Sequence, residues 1–401
     1  MPSNPSMSAA IVGAAEADRI GYLETPKTAT MMHVEAIRNV CKQTGIKVSQ
    51  IEAVFSAGVS PQIAEYLGIH PKFFDTTSVG GCSFEMHVHH ALAAINSGIC
   101  DVALVTHGEI GWSARATKGR GTGRASGGDP WVPDALWSNP YGVTGAPSNY
   151  SHSMTRHMHQ WGSREEDFAQ IAITTRDWAT LNPRAIMQSK DTNPAGGPLT
   201  MADYKASRYI SWPLHLLDCC LVTDHGGAVL VASADVARSL GTKPVWIAGA
   251  GENTSHSNML EMEDFTATSA KASGEAAYKM AGMGPGDMEM AMIYDSFTIT
   301  AAITAEMLGL TPRGEGPSLW ANGAAGPGGK FPVNTNGGGL SFNHSGMYGM
   351  QLLVEAYRQL SHTAEDGVNG LPGKQTNAKS CVVNGTGGSL SNTGTLVLVS
   401  D

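Results

Sequence analysis

Two stretches of this chain repeat one pattern, and that repetition constrains the fold more than any other feature. "VEAIRNVCKQTGIKVSQIEAVFSAG" (34–58) and "GEAAYKMAGMGPGDMEMAMIYDSF" (274–297) each carry a Glu-Ala helix pattern. In each, a glycine break, a short polar link and an apolar strand follow. A second pair follows: "GGCSFEMHVHHALAAI" (80–95) against "GGGLSFNHSGMYGMQLLVEAYRQL" (337–360), both with a Gly-Gly-x-Ser-Phe turn before an apolar helix. Such a pairing predicts a duplicated α/β unit whose halves pack face to face.

Within each half, strand-type and helix-type runs alternate, as a layered α/β fold requires. "AAIVGAAE" reads as a strand, and "TATMMHVEAIRNVCKQTG" has helical periodicity closing at Gly45. "IEAVFSAGV" and "CDVALVTHGE" read as strands on either side of a helix closed by Gly98. The expected halves are residues 1–240, with an inserted loop region at about 111–210, and residues 241–401. The Gly-rich stretch Gly111–Tyr150 carries three of the eight tryptophans and is expected to act as a lid or a dimer-facing loop.

A net charge of −9 argues against nucleic acid or an anionic membrane as the main partner. The six cysteines show no CxxC or zinc-ribbon spacing, no apolar run is long enough to span a bilayer, and the first residues carry no leader pattern. The expectation is a cytoplasmic protein without a metal. His87, His89 and His90 lack a carboxylate or Cys at ligand spacing, and His152, His157 and His159 belong to a helix and its approach. Cys219-Cys220 reads as core packing. "GRGTGR" is a weak nucleotide signal, and Arg115, Lys118, Arg120 and Arg124 form a basic patch suited to phosphates, a partner or solvent.

The duplication, the Gly-Gly turn into a helix, the mid-chain "SWPLHLLDCCLVTDHGGAVLVAS" and the C-terminal "NGTGGSLSNTGTLVLVSD" resemble the thiolase superfamily, in its sterol-carrier/lipid-transfer branch. The resemblance covers essentially the whole chain. It implies a five-layered αβαβα fold made of two thiolase-like halves, a homodimer, and coenzyme A thioesters as substrates.

Four loops carry chemistry in that family. The first normally holds a nucleophilic Cys; here Gly81 occupies its place, Ser83 fits the following Ser, and Cys82 lies one residue late, about 100° round a helix. The second, normally Asn-Glu-Ala-Phe, reads "YDSF", with Tyr294 and Asp295. The third keeps His344 in "NHSGMYG" and adds Tyr348. The fourth, which normally brings a second Cys, reads "NGTGG", with Asn384 at that place followed by Gly387 and Gly388.

Thiolases use a thiolate to take the acyl group and a second thiol to move the α-proton, so the resemblance implies that a chain with neither in place is poorly suited to that two-step transfer. Glycine-rich turns with free backbone N–H groups, a histidine and two phenols instead suit enolate chemistry. These replacements resemble thiolase-like aldolases of steroid side-chain degradation, which work with a small OB-fold (DUF35-type) partner. That likeness implies a carbon–carbon lyase performing retro-aldol cleavage of a β-hydroxyacyl-CoA. Tyr294 and Tyr348 would be the catalytic phenols and His344 the oxyanion donor. Gly81, Ser83, Asp295, Gly387 and Gly388 would shape the substrate and oxyanion site, with no cofactor beyond the substrate's own coenzyme A. Two rivals stand beside it: a thiolase or acyltransferase using Cys82, and a non-catalytic acyl-CoA or lipid carrier.

Overall fold

The computed structural model describes residues 4–400, apart from positions 26, 118–137, 144, 258, 366 and 368–371. Most of the Gly-rich insertion, including Lys118, Arg120 and Arg124, lies outside the described residues. The first half runs β1 (Ala9–Glu16), α1 (Ala29–Thr44), β2 (Ala53–Phe55), α2 (Ser60–Leu67), β3 (Phe73–Asp75), α3 (Ser83–Asn96) and β4 (Val102–Ile110). Next come α4 (Gly111–Thr117), α5 (Ala146–Trp161), α6 (Glu165–Thr180), α7 (Met201–Ala206), the short strands β5 (Tyr209–Ser211) and β6 (Leu214–His215), β7 (Asp224–Ser233) and α8 (Ala234–Ser239). The second half has β8 (Val245–Thr254), α9 (Ala270–Ala281), β9 (Met290–Ile293), α10 (Thr298–Met307), α11 (Gly349–Leu360), β10 (Ser380–Gly387) and β11 (Asn392–Val399).

Nine strands join in the order β3-β2-β4-β7-β1-β8-β11-β10-β9. The seam between the halves is thin: β1 meets β8 only through Ala10↔Trp246 and Ile11↔Val245. Side chains alternate across a strand, and here the alternation sorts them into three cores. Phe55, Val105, Val231, Met292, Val383 and Leu398 point inward onto Phe84, Val88 and Leu92 of α3 and Leu352 and Leu353 of α11. Val54, Leu104 and Leu230 point outward onto Ile37 and Val40 of α1. Ala291, Ile293, Val382 and Val397 point outward onto Ala277 of α9 and Ile303 of α10.

The result is five layers, helices–sheet–helices–sheet–helices, with α3 and α11 in the middle. Leu92 is fully buried between the sheets, so truncation to Ala there would cost about 2–5 kcal/mol.

Local signals explain the first repeated segment. The Thr28 hydroxyl accepts from the Met31 N–H at the head of α1, and Gly45, left-handed at φ 77°, ends it. The second repeat diverges. Gly80-Gly81-Cys82 runs straight into α3, whereas Gly338–Phe342 forms a wide turn of π type and α11 starts only at Gly349. The Ser341 and Phe342 amides both donate to the Gly337 carbonyl, at 3.0 and 2.9 Å, which closes this turn on itself. Tyr348-Gly349, not Gly338-Gly339, therefore heads the second central helix.

Candidate active site

The head of α3 is a tight turn held by its own serine. Ser83 Oγ donates to the Gly80 carbonyl at 2.6 Å and accepts from the Val79 N–H at 3.0 Å, so Ser83 braces the turn. Gly80 sits at φ 91°, and a Cβ there would lie 2.8 Å from the Gly387 Cα and the Gly388 nitrogen. Only glycine permits that approach to the end of β10.

Gly81 decides the chemistry. A Cβ on it would overlap the Tyr294 ring, 2.5 Å from both Cζ and the hydroxyl oxygen. The phenol therefore stands in the space a side chain at position 81 would take. Tyr294 is carried there by β9, whose last residue precedes it, and its N–H donates to the Asn384 carbonyl at 3.0 Å.

The Tyr294 hydroxyl has two partners. It accepts from the Tyr348 backbone N–H at 3.0 Å and lies 3.1 Å from His344 Nε2. Burial lowers His344 to about 4, so its imidazole is neutral at pH 7. In the Nδ1–H tautomer of the neutral imidazole, the phenol donates to Nε2 while its oxygen accepts from Tyr348. Burial also raises Tyr294 well above the ordinary phenol value, with Cys220 adding to the effect. The phenol thus stays protonated at rest. The His344 backbone is pinned to the entry of β7: its N–H donates to Thr223 Oγ1 at 2.9 Å, and its carbonyl accepts from the Thr223 N–H at 3.0 Å.

Asp295 clamps the wide turn, accepting from the Gly339 N–H at 2.7 Å and the Leu340 N–H at 3.4 Å. Its carboxyl is pushed up to about 7 by burial. The Tyr348 ring lies almost parallel to His344, at 15° and 6.0 Å, while its hydroxyl donates to Asn336 Oδ1 at 2.9 Å. Tyr348 therefore meets the Tyr294 hydroxyl through its backbone, and its own phenol is committed to Asn336.

The rival role for Cys82 gains no support, and the place expected of Asn384 is corrected. Cys82 is fully buried, and burial together with the charge of Glu85 raises its thiol well above the ordinary value. A nucleophilic cysteine needs the opposite environment. Asn384 faces the outer helix layer, donating from Nδ2 to Thr395 Oγ1 at 2.7 Å, where Ser273 also bonds. Strand alternation turns Gly385 and Gly387 inward instead; a Cβ on Gly387 would lie 3.0 Å from Cys82 Sγ. Gly388 is exposed beyond the strand end, and its carbonyl accepts from the Tyr150 hydroxyl at 3.4 Å.

Other neighbours come from segments that carry no motif. Cys220, expected in the core, is half-buried, and its N–H donates to the Ser296 carbonyl at 2.9 Å. Burial raises its thiol, the charge of Asp295 adds to that, and Cys220 in turn acts on Tyr294. Glu109, at the end of β4, accepts from the Met347 N–H at 3.0 Å, and its charge acts on His344. Arg115 on α4 is exposed, and its charge reaches His344 and Cys220. The triple-histidine helix serves a different end: His90 binds Asp75 at 2.5 Å and Glu252 at 3.2 Å, tying β3 to β8. Among the described residues no three His, Cys, Asp or Glu side chains converge as metal ligands would. A cleft of about 800 Å³ against Trp178, Met288 and Pro332 lies at the opposite end of β9 from Tyr294, so size alone does not mark the site.

Residues 251–400 match the thiolase C-terminal domain-like family. A steroid side-chain-cleaving aldolase from Thermomonospora curvata is 30% identical over 94% of this chain and 96% of its own length. The chain belongs to the thiolase superfamily, with the side-chain-cleaving aldolases. Another relative, the 17-hydroxy-3-oxo-4-pregnene-20-carboxyl-CoA lyase of Mycobacterium tuberculosis, is 28% identical over 91% of this chain and 95% of that enzyme. The solved Ltp2-ChsH2(DUF35) aldolase superposes with a TM-score of 0.85 at 27% identity, covering 99% of this chain and 98% of that one.

Proposed function

We propose that this chain is a carbon–carbon lyase that cleaves a β-hydroxyacyl-CoA by a retro-aldol step. The observation that carries the reading is the Tyr294 phenol filling the space beside Gly81 with its hydroxyl 3.1 Å from a neutral His344. The named activities of the Thermomonospora curvata and Mycobacterium tuberculosis relatives point the same way.

In this reading the substrate's β-hydroxyl gives its proton to the Tyr294 oxygen as the phenol passes its own proton to His344 Nε2. The bond between the α- and β-carbons breaks, its electron pair moves into the thioester enolate, and the β-carbon leaves as a ketone or aldehyde. Backbone N–H groups at the head of α3 and near Gly388 hold the enolate oxygen. The proton then returns from His344 through Tyr294 to the α-carbon. No acyl-enzyme forms, and no cofactor enters besides the substrate's coenzyme A.

A steroid side chain is the proposed acyl group, since both of these relatives are named for steroid substrates. The DUF35 component of the superposed aldolase makes a DUF35-type protein the proposed partner. A homodimer in the cytoplasm completes the proposal; among the described residues no helix is long and apolar enough to cross a membrane.

The test offers the purified chain, with and without a DUF35-type partner, a steroidal β-hydroxyacyl-CoA and follows the ketone and short acyl-CoA by mass spectrometry. Tyr294→Phe should lower kcat by about 10²–10⁴-fold with KM little changed. Undiminished cleavage by that variant would refute the role given to the phenol.

A further inference from the structure

Against Gly349, where the Gly81 carbonyl oxygen also lies, sits a carboxyl group the mechanism has not used. Glu85, in the first turn of α3, is fully buried, and neither of its side-chain oxygens has a hydrogen-bond partner. Among the described residues no cation pairs with it. The chain nevertheless makes room for it with glycines from three other segments. A Cβ on Gly385 of β10 would lie 2.6 Å from the Glu85 Cδ, and one on Gly394 of β11 would lie 2.9 Å from its Cβ. At Gly349, the first residue of α11, an added Cβ would meet the Gly81 carbonyl oxygen and both Glu85 oxygens, Oε1 at 2.8 Å.

That crowding is informative. The Gly81 carbonyl and the Glu85 carboxyl share one face of Gly349. A carboxylate there would stand near a carbonyl oxygen with only its own backbone N–H as a donor, an arrangement a buried site tolerates poorly. A neutral carboxylic acid can donate its proton to that carbonyl instead. Burial agrees, pushing Glu85 up to about 8. Cys82 on its own helix is the titratable neighbour, itself held as a thiol, while β10, β11 and the head of α11 present glycines.

We propose that Glu85 is a positioning residue: as a neutral acid it holds the Gly81 peptide and so fixes the seat on which the Tyr294 ring rests. The inference depends on the lyase reading for its effect on catalysis, but not for the protonation state itself. Ionisation of Glu85 removes the donor and places a charge against the Gly81 carbonyl, so the seat loosens as pH rises through about 8.

Two variants separate donor from charge. Glu85→Gln keeps a donor of similar shape and cannot ionise; Glu85→Leu keeps bulk and has no donor. Cleavage kcat and KM, and the thermal midpoint, are measured from pH 6.5 to 9.5 for the wild type and both variants. The wild type should lose kcat above pH 8 at constant KM, Gln should remove that alkaline limb, and Leu should be slower at every pH by about tenfold with KM unchanged. The wild-type midpoint should fall relative to both variants as pH rises from 6.5 to about 8 and run parallel to them above that. An alkaline limb and a midpoint profile unchanged in Gln would overturn the proposal. So would a Leu variant as fast as the wild type at pH 7. If the wild type cleaves nothing at any pH, the lyase reading fails, yet the midpoint profiles still report whether Glu85 is the buried acid.

Discussion

The two central helices begin in opposite ways, although both meet the same phenol. The head of α3 offers an absence: Gly81 has no side chain, and Tyr294 lies where one would project. The head of α11 offers a group: the Tyr348 N–H, which donates to the Tyr294 hydroxyl. In a duplicated fold these are corresponding places. In the proposed lyase reading the reactive group is the phenol at the end of β9, between them, with the helix heads as seat and clamp. A family fold can thus change its chemistry by exchanging a side chain at one position for a ring from another.

The largest effect should come from refilling the seat. Gly81→Ala places a Cβ inside the Tyr294 ring, so the phenol must shift. The expectation is a cost of about 1–3 kcal/mol in stability and a loss of about 10²-fold or more in cleavage. Denaturant unfolding and product assays would check both. An Ala variant with full activity would break the comparison, because the seat would then tolerate a side chain.

A smaller effect should appear in the pH dependence of stability. Glu85 and Asp295 have folded-state values near 8 and 7, well above those of an unfolded chain near 4. The native state therefore holds more protons than the unfolded state between about pH 4 and 8, and stability falls as pH rises through that window. His33, His87 and His344, lowered to about 3, 4 and 4 by burial, act in the opposite sense below pH 6.5 and are silent above it. His90, raised to about 9 chiefly by its bond to Glu252, joins the downward trend. Stability should accordingly be flattest between pH 4 and 6.5 and drop by on the order of 1–3 kcal/mol between 6.5 and 9. Urea midpoints across that range would show it, and a midpoint that rises over the alkaline span would contradict the buried acids.

Much of the frame was legible because local chemistry spells it out. The strand Ala9–Glu16 and the close of α1 at Gly45 follow from an apolar run and a left-handed glycine cap. The loops bearing Gly81, Tyr294 and His344 were readable as motifs, and they do converge. What the motifs hid was orientation. Alternation along β10 places Asn384 outward and the neighbouring glycines inward, a rule available in the sequence but overridden by the motif count. Cys220, Glu109 and Asn336 reach the site from segments far apart in the chain, so no spacing announces them. The overlap of the Tyr294 ring with the missing side chain of Gly81 is a tertiary fact, and only the fold exposes it.

The central claim is that Tyr294 has replaced a nucleophile, and one measurement addresses it directly. The protein and a Cys82→Ser control are incubated with a panel of acyl-CoAs, quenched in acid, and weighed intact. The account predicts unmodified mass for both proteins with every acyl-CoA, including those shown to bind. An acyl mass on the wild type that is missing from the control would make Cys82 a working nucleophile and contradict it.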